Sequence, residues 1–102
     1  MENLQNQLRI FLESRLSTQE QKSAVLTLAK LVVSGRKSFF SVQNIQAKAG
    51  KGVPPEEIKE ALRHGELAGF VIRRKRRIQD VYRIDEKYAR PLLEIAHEYY
   101  SQ

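Results

Sequence analysis

The chain of 102 residues contains no cysteine and no tryptophan, one methionine, three prolines and two histidines. Without cysteine there is no disulfide framework, no thiolate zinc site and no thiol nucleophile. His64 and His97 lie far apart in sequence, and neither has a carboxylate at ligand spacing, so both read as solvated or capping groups and no metal is expected. No apolar run approaches the roughly 20 residues needed to span a bilayer. Met1-Glu2-Asn3 lacks the basic-then-apolar layout of a secretory signal. There is no Ser/His/Asp grouping and no Gly-rich phosphate loop, and the adjacent carboxylates Glu56 and Glu57 point apart on a helix. These absences give the expectation of a cytoplasmic protein that is not an enzyme, takes no cofactor and does not associate with membranes.

What is present is ordinary globular composition with a marked charge bias. Hydrophobic residues make up 41% and charged residues 29%, which argues against disorder, and the length suits one domain spanning residues 1–102. The formal net charge is +6, a balance that points to an anionic partner without specifying a fold. Its distribution is uneven. Residues 36–53 carry Arg36, Lys37, Lys48 and Lys51 with no acid. Residues 73–84 carry Arg73, Arg74, Lys75, Arg76, Arg77 and Arg83 against Asp80 alone. The helical segment between them holds Lys59 and Arg63 against Glu56, Glu57, Glu60 and Glu66 and is net acidic.

Periodicity orders the chain. Leu4, Leu8, Phe11, Leu12 and Leu16 fall at helical spacing, which predicts an amphipathic helix over 3–16. Ser17-Thr18-Gln19-Glu20 reads as a capping box with Ser17 as the cap, opening a second, strongly apolar helix that ends near Ser34 and Gly35. Ser38-Phe39-Phe40 suits a short strand. Ser41 is placed to cap a third helix over 42–49, closed by Gly50. Pro54 and Pro55 suit the first turn of a fourth helix running to about Ala68, with Glu56 and Glu57 at the positive end of its dipole. The period then falls to two. Phe70 and Ile72 are expected to share the inward face of one strand, and Tyr82 and Ile84 that of its partner. Arg74-Lys75-Arg76-Arg77 is read as the exposed connection of the hairpin. Asp85 can cap a last helix over 86–100, which Pro91 would kink or delay to about Ala89.

Helix, short strand, helix, tight turn, helix and hairpin is an order that resembles the winged helix-turn-helix over residues 19–84. The resemblance is carried by Ser41-Val42-Gln43-Asn44-Ile45-Gln46-Ala47-Lys48-Ala49-Gly50 as its first helix and turn. Ile58-Lys59-Glu60-Ala61-Leu62 through Leu67-Ala68-Gly69-Phe70-Val71-Ile72-Arg73 looks like its second helix running into the wing, and Val81-Tyr82-Arg83-Ile84 like the return strand. It implies an α+β, mostly α fold, a winged helix-turn-helix with extra N- and C-terminal helices. Such extra helices resemble those of the MarR and PadR groups of dimeric regulators and of small centromere-binding adaptors in archaeal plasmid partition.

The expected activity is therefore binding of double-stranded DNA, as a dimeric transcriptional regulator or as a plasmid partition adaptor. A winged-helix module that docks onto another protein, and RNA binding through the same basic hairpin, are the alternatives. The second helix of such a motif offers its outward residues to base edges, here Pro55, Glu56, Lys59 and Arg63. Lysine and arginine read guanine, and a glutamate can accept from cytosine. Arg74, Lys75, Arg76 and Arg77 would reach phosphates or the minor groove, and Arg36, Lys37, Lys48 and Lys51 the backbone on the other side. The terminal helices, through Leu4, Leu8, Phe11, Leu12, Leu92, Ile95 and Tyr99, are expected to form a two-fold dimer.

Overall fold

A computed structural model describes residues 4–35 and 39–100, without the side chains of 99 and 100. Helix α1 (Leu4–Ile10) widens into a π-helical turn over Phe11–Arg15. Helix α2 (Gln19–Val33) follows, then strand β1 (Phe40–Ser41) and helices α3 (Val42–Ala49) and α4 (Pro55–Leu67). Strands β2 (Val71–Lys75) and β3 (Asp80–Ile84) lead to helix α5 (Glu86–Tyr100). The fold is α+β and mostly helical, with one antiparallel sheet in the order β1-β3-β2.

Local chemistry explains most boundaries. Ser41 Oγ accepts from the Asn44 amide while Asn44 Oδ1 accepts from the Ser41 amide, a reciprocal box that starts α3. Helix α3 ends at Gly50, whose φ of +102° suits a residue without Cβ. At the start of α2 the cap is one residue later than the sequence suggests. Thr18, not Ser17, accepts from the Gln21 amide at 3.1 Å. The buried Gln21 side chain accepts from the Ser17 amide at 3.0 Å, and Thr18 Oγ1 and Gln21 Nε2 both donate to Glu57 of α4, at 2.6 and 3.2 Å. A partner far away in sequence decides between two adjacent hydroxyls. Asp85 caps α5 through the Lys87 amide at 3.1 Å, and the helix runs from Glu86 through Pro91 rather than starting near Ala89.

The α4-to-β2 junction governs the sheet. The Gly69 amide donates to the Glu66 carbonyl and the Phe70 amide to the Gly65 carbonyl at 2.9 Å, with Gly69 at φ +87°. This is a Schellman turn. Phe70 therefore belongs to the turn, not the strand, and its ring packs edge-on between Phe11 and Tyr88 at centroid distances of 5.2 and 5.1 Å. The strand alternation then begins at Val71, so the expected inward pair of Phe70 and Ile72 is replaced. Val71 and Ile84 are paired and buried, whereas Ile72 is 47% exposed. Phe40 joins Val71 and Ile84 on the core face. The strands pair as far as Lys75 and Asp80, which puts Arg74 and Lys75 in β2 and makes Arg76-Arg77-Ile78-Gln79 the connection, closed by the Arg76 amide on the Gln79 carbonyl.

Helix α2 is the central element, packed against α3, α4 and α5. The terminal helices close on the same core. Leu8, Phe11, Leu12, Leu92 and Ile95 are each at most 5% exposed within the single chain, and Leu4 packs partly buried against them. Within the single chain the apolar surface of these expected dimer contacts is removed from water. The Tyr99 side chain lies outside the described residues. Exposed Arg9–Glu98 and Gln5–Glu94 contacts also join α1 to α5. Among the described residues no helix is long and apolar enough to cross a membrane.

Gly65 is a point of close approach in this packing. A Cβ there would lie 2.4 Å from Val71 Cγ2 and 3.2 Å from Val71 Cβ, with the Phe11 ring at 3.7 Å. In an exposed helix interior, Gly→Ala stabilises by about 1 kcal/mol. Here the sign reverses: Gly65→Ala should destabilise by about 1–3 kcal/mol through overpacking, measured by urea unfolding. The Gly65→Ala, Val71→Ala double variant should lose less stability than the two single variants added together. A stabilised Gly65→Ala would contradict this packing.

Candidate nucleic-acid interface

Strand alternation places two kinds of residue on the hairpin. On the core face, Arg73 pairs with Glu66 of α4 at 3.3 Å and with Asp80 at 3.4 Å, and these carboxylates, Glu66 first, favour its charged form. On the outer face stand Ile72, Arg74, Val81 and Arg83, the alternate positions of the same two strands. Phe39 precedes β1, and the Arg74 guanidinium sits over its ring at 4.3 Å, with that of Arg83 at 5.8 Å. The end of the hairpin is thus a ridge with a groove on each side, and Gln79 lines both.

The first groove, about 460 Å³, lies between the hairpin and the N-terminal parts of α3 and α4. Gln43 and Gln46 line it from α3, Pro55 and Lys59 from α4, and Ile78, Asp80 and Tyr82 from the hairpin. Gln46 Nε2 also donates to the Val53 carbonyl at 3.3 Å, which ties the turn between the two helices to α3. Burial, assisted by Asp80, pushes the Tyr82 phenol above its ordinary value, so it stays a neutral donor and acceptor at the groove wall. The second groove, about 740 Å³, is lined by Phe39, Asn44, Arg74, Arg76, Gln79, Val81 and Arg83.

The residues singled out from sequence divide accordingly. Pro55 and Lys59 meet the hairpin in the first groove, and Arg74 and Arg76 line the second. Lys75 and Arg77 are exposed beside them. Lys48, at the last turn of α3, and Lys51, in the following turn, are exposed but line neither groove, and Glu56 is exposed in the first turn of α4. Arg36 and Lys37 lie outside the described residues. Among the described residues, Lys48, Lys51, Lys59, Arg74, Lys75, Arg76 and Arg77 make no ion pair.

Arg63 is different. Its guanidinium donates to both Glu60 oxygens, at 3.2 and 2.5 Å, and His64 Nε2 lies 3.2 Å from the same carboxylate. Glu60, which has no capping role in the sequence, is therefore the local counter-ion of its own helix face. An Arg63 held in this way is less available to an external acceptor than Lys59. The residues missed from sequence are Phe39, Asn44, Gln79, Ile78 and Arg83. One signal was available: two successive aromatics on a short strand face opposite ways, so one of Phe39 and Phe40 had to lie on the outer face.

No group of three or more potential metal ligands occurs among the described residues. The hydrogen bond from Arg63, aided by the charges of Arg63 and His64, holds the Glu60 carboxyl below the usual carboxylate range. A depressed value means the pair persists above that lowered midpoint and is lost as pH falls through it. NMR titration of the Glu60 carboxyl should give a midpoint below those of unpaired glutamates, and Arg63→Ala should return most of the shift. An ordinary midpoint in the wild type would break the pairing. No protein-family model matches the chain, and neither a curated protein nor a solved structure shows significant similarity to it.

Proposed function

We propose that this chain binds double-stranded DNA as a winged helix-turn-helix, with α3 and α4 as the helix pair and the β2–β3 hairpin as the wing, and that it acts as a transcriptional regulator. The observation that carries the reading is the run Arg74-Lys75-Arg76-Arg77, exposed and without ion pairs among the described residues, on a hairpin whose Ile78, Gln79 and Asp80 border the first turns of α4. Such like charges repel one another, and a phosphate backbone relieves the repulsion while releasing its own counterions.

The α4 turn supports the assignment of roles. Pro55 and Lys59 are one helical turn apart, so both belong to the strip of α4 that borders the hairpin. Lys59 makes no ion pair among the described residues and offers its ammonium to base edges or phosphates, whereas Arg63 must first leave Glu60. A second reading, a protein-docking module, is favoured by Ile78, which stands 93% exposed at the hairpin end. The basic neighbours of Ile78 would then contact an acidic protein rather than phosphates.

Two variants separate these roles. Arg76→Ala with Arg77→Ala should weaken binding to all duplexes alike and reduce the log–log salt slope by about 0.9 for each phosphate that is no longer neutralised. Lys59→Ala should reduce discrimination between random DNA and the tightest duplex selected from a random pool by about 1–3 kcal/mol. Both changes are on the surface and should alter stability by no more than about 0.5 kcal/mol. A folded hairpin variant that binds duplex DNA with unchanged affinity and slope would transfer the reading to protein docking.

A further inference from the structure

We propose that the groove on the outer sheet face is a phosphate site, built by Phe39, Asn44, Arg74, Arg76 and Arg83, that holds one phosphodiester of a nucleic-acid strand. The inference relies on the DNA-binding reading only for the source of the phosphate. The groove chemistry stands on its own observations.

The lining contains three arginines and no carboxylate, and none of the three makes an ion pair among the described residues. Arg74 and Arg83 share one aromatic support, with guanidinium carbons 4.3 and 5.8 Å from the Phe39 centroid. The Arg74 guanidinium is held over the Phe39 ring before any ligand arrives, which lowers its ordering cost on binding, and Arg83 lies at the outer limit of such a contact. The ring thus brings two like charges near each other with no carboxylate paired to either among the described residues.

Arg83 Nε is buried and has no hydrogen-bond partner among the described residues. A buried donor left unpaired is disfavoured until an acceptor reaches it. Asn44 points the same way: its Oδ1 is committed to the Ser41 amide, which leaves its NH₂ as a donor at the groove wall. The free polar groups of the Arg74, Arg83 and Asn44 side chains are therefore all donors. The matching ligand is an acceptor-only anion with several oxygens. A phosphodiester fits this, because its two non-bridging oxygens share one negative charge, carry no proton and can each accept from more than one donor. The groove is also separated from Lys59 and Pro55 only by the hairpin ridge at Gln79, so one strand backbone can touch both sides.

The test uses the full chain with three probes: a short duplex with unphosphorylated ends, the same duplex with 5′-phosphates, and inorganic phosphate at constant ionic strength. Arg83→Gln should flatten the salt slope by about 0.9, so that a fourfold rise in salt costs it about 3.5-fold less affinity than it costs the wild type. Arg83→Lys should restore the slope but not the full affinity. Phe39→Leu keeps every charge and should weaken binding, while the Arg83 Nε–H resonance loses the exchange protection that duplex confers on the wild type. Thermal unfolding checks each variant, and Arg74→Gln, at an exposed position, replaces Arg83→Gln if the latter does not fold.

A folded Arg83→Gln with wild-type affinity and slope, on a duplex the wild type binds, overturns the groove assignment and leaves the DNA-binding reading intact. Binding that requires 5′-phosphates overturns the phosphodiester in favour of a terminal monophosphate. If the wild type binds no duplex, the DNA-binding reading fails. Saturable movement of the Arg83 Nε–H signal with phosphate, but not with chloride, would then retain the phosphate site without its phosphodiester. No movement with any of the three probes overturns the site itself.

Discussion

The absence of a side chain at Gly65 is the constraint on which the arrangement depends. Val71 occupies the space a Cβ would need, and the Gly65 carbonyl accepts the Phe70 amide that turns the chain out of α4. That turn drives Phe70 between Phe11 and Tyr88, which draws the first and last helices onto the sheet. It also sets the phase of β2, and the phase decides which side of the hairpin is apolar and which carries arginine. Fold and candidate interface are joined at one glycine.

The charge pattern follows from where the acids are used. Glu57 is tied to Thr18 and Gln21 at the start of α2, Glu60 to Arg63 and His64, and Glu66 and Asp80 to Arg73. Most carboxylates of the acidic middle segment thus have partners, and of the hairpin arginines the segment compensates Arg73 alone among the described residues. The exposed pairs add little stability themselves. Their effect is on distribution: among the described residues the cations at the hairpin end, Arg83 and Lys59 stay without an ion pair, while Arg63 and Arg73 are compensated. A net acidic helix beside a basic hairpin is thereby compatible with an anionic partner.

Much of the element order was legible in the sequence, because caps and breakers act locally. Ser41 with Asn44, Gly50, Pro55, Gly69 and Asp85 each mark a boundary by chemistry within a few residues. What was not legible depended on distant partners or on phase. Ser17 and Thr18 are equivalent caps until Glu57 arrives from α4. A five-residue strand gives too few alternations to show that Phe70 belongs to the turn, and a one-residue slip exchanges the two faces. The apolar stripes of the terminal helices were visible, but their destination was not, since a stripe looks the same whether its own chain or a second copy covers it. At the interface the cationic hairpin was legible as a charge run. Arg83 was not, and Phe39 was so only as one of two aromatics that could face outward, because their association requires the register of β1, β2 and β3.

The central claim is that unpaired cations on the hairpin and on α4 meet the phosphates of a DNA duplex. The most direct measurement is the affinity of the wild-type chain for duplex DNA across a series of salt concentrations. With four phosphates neutralised at about −0.9 each, log Kobs should fall against log salt with a slope of roughly −3.6 or steeper. A chain that fails to bind duplex at low salt, or binds it with an affinity insensitive to salt, would contradict the account.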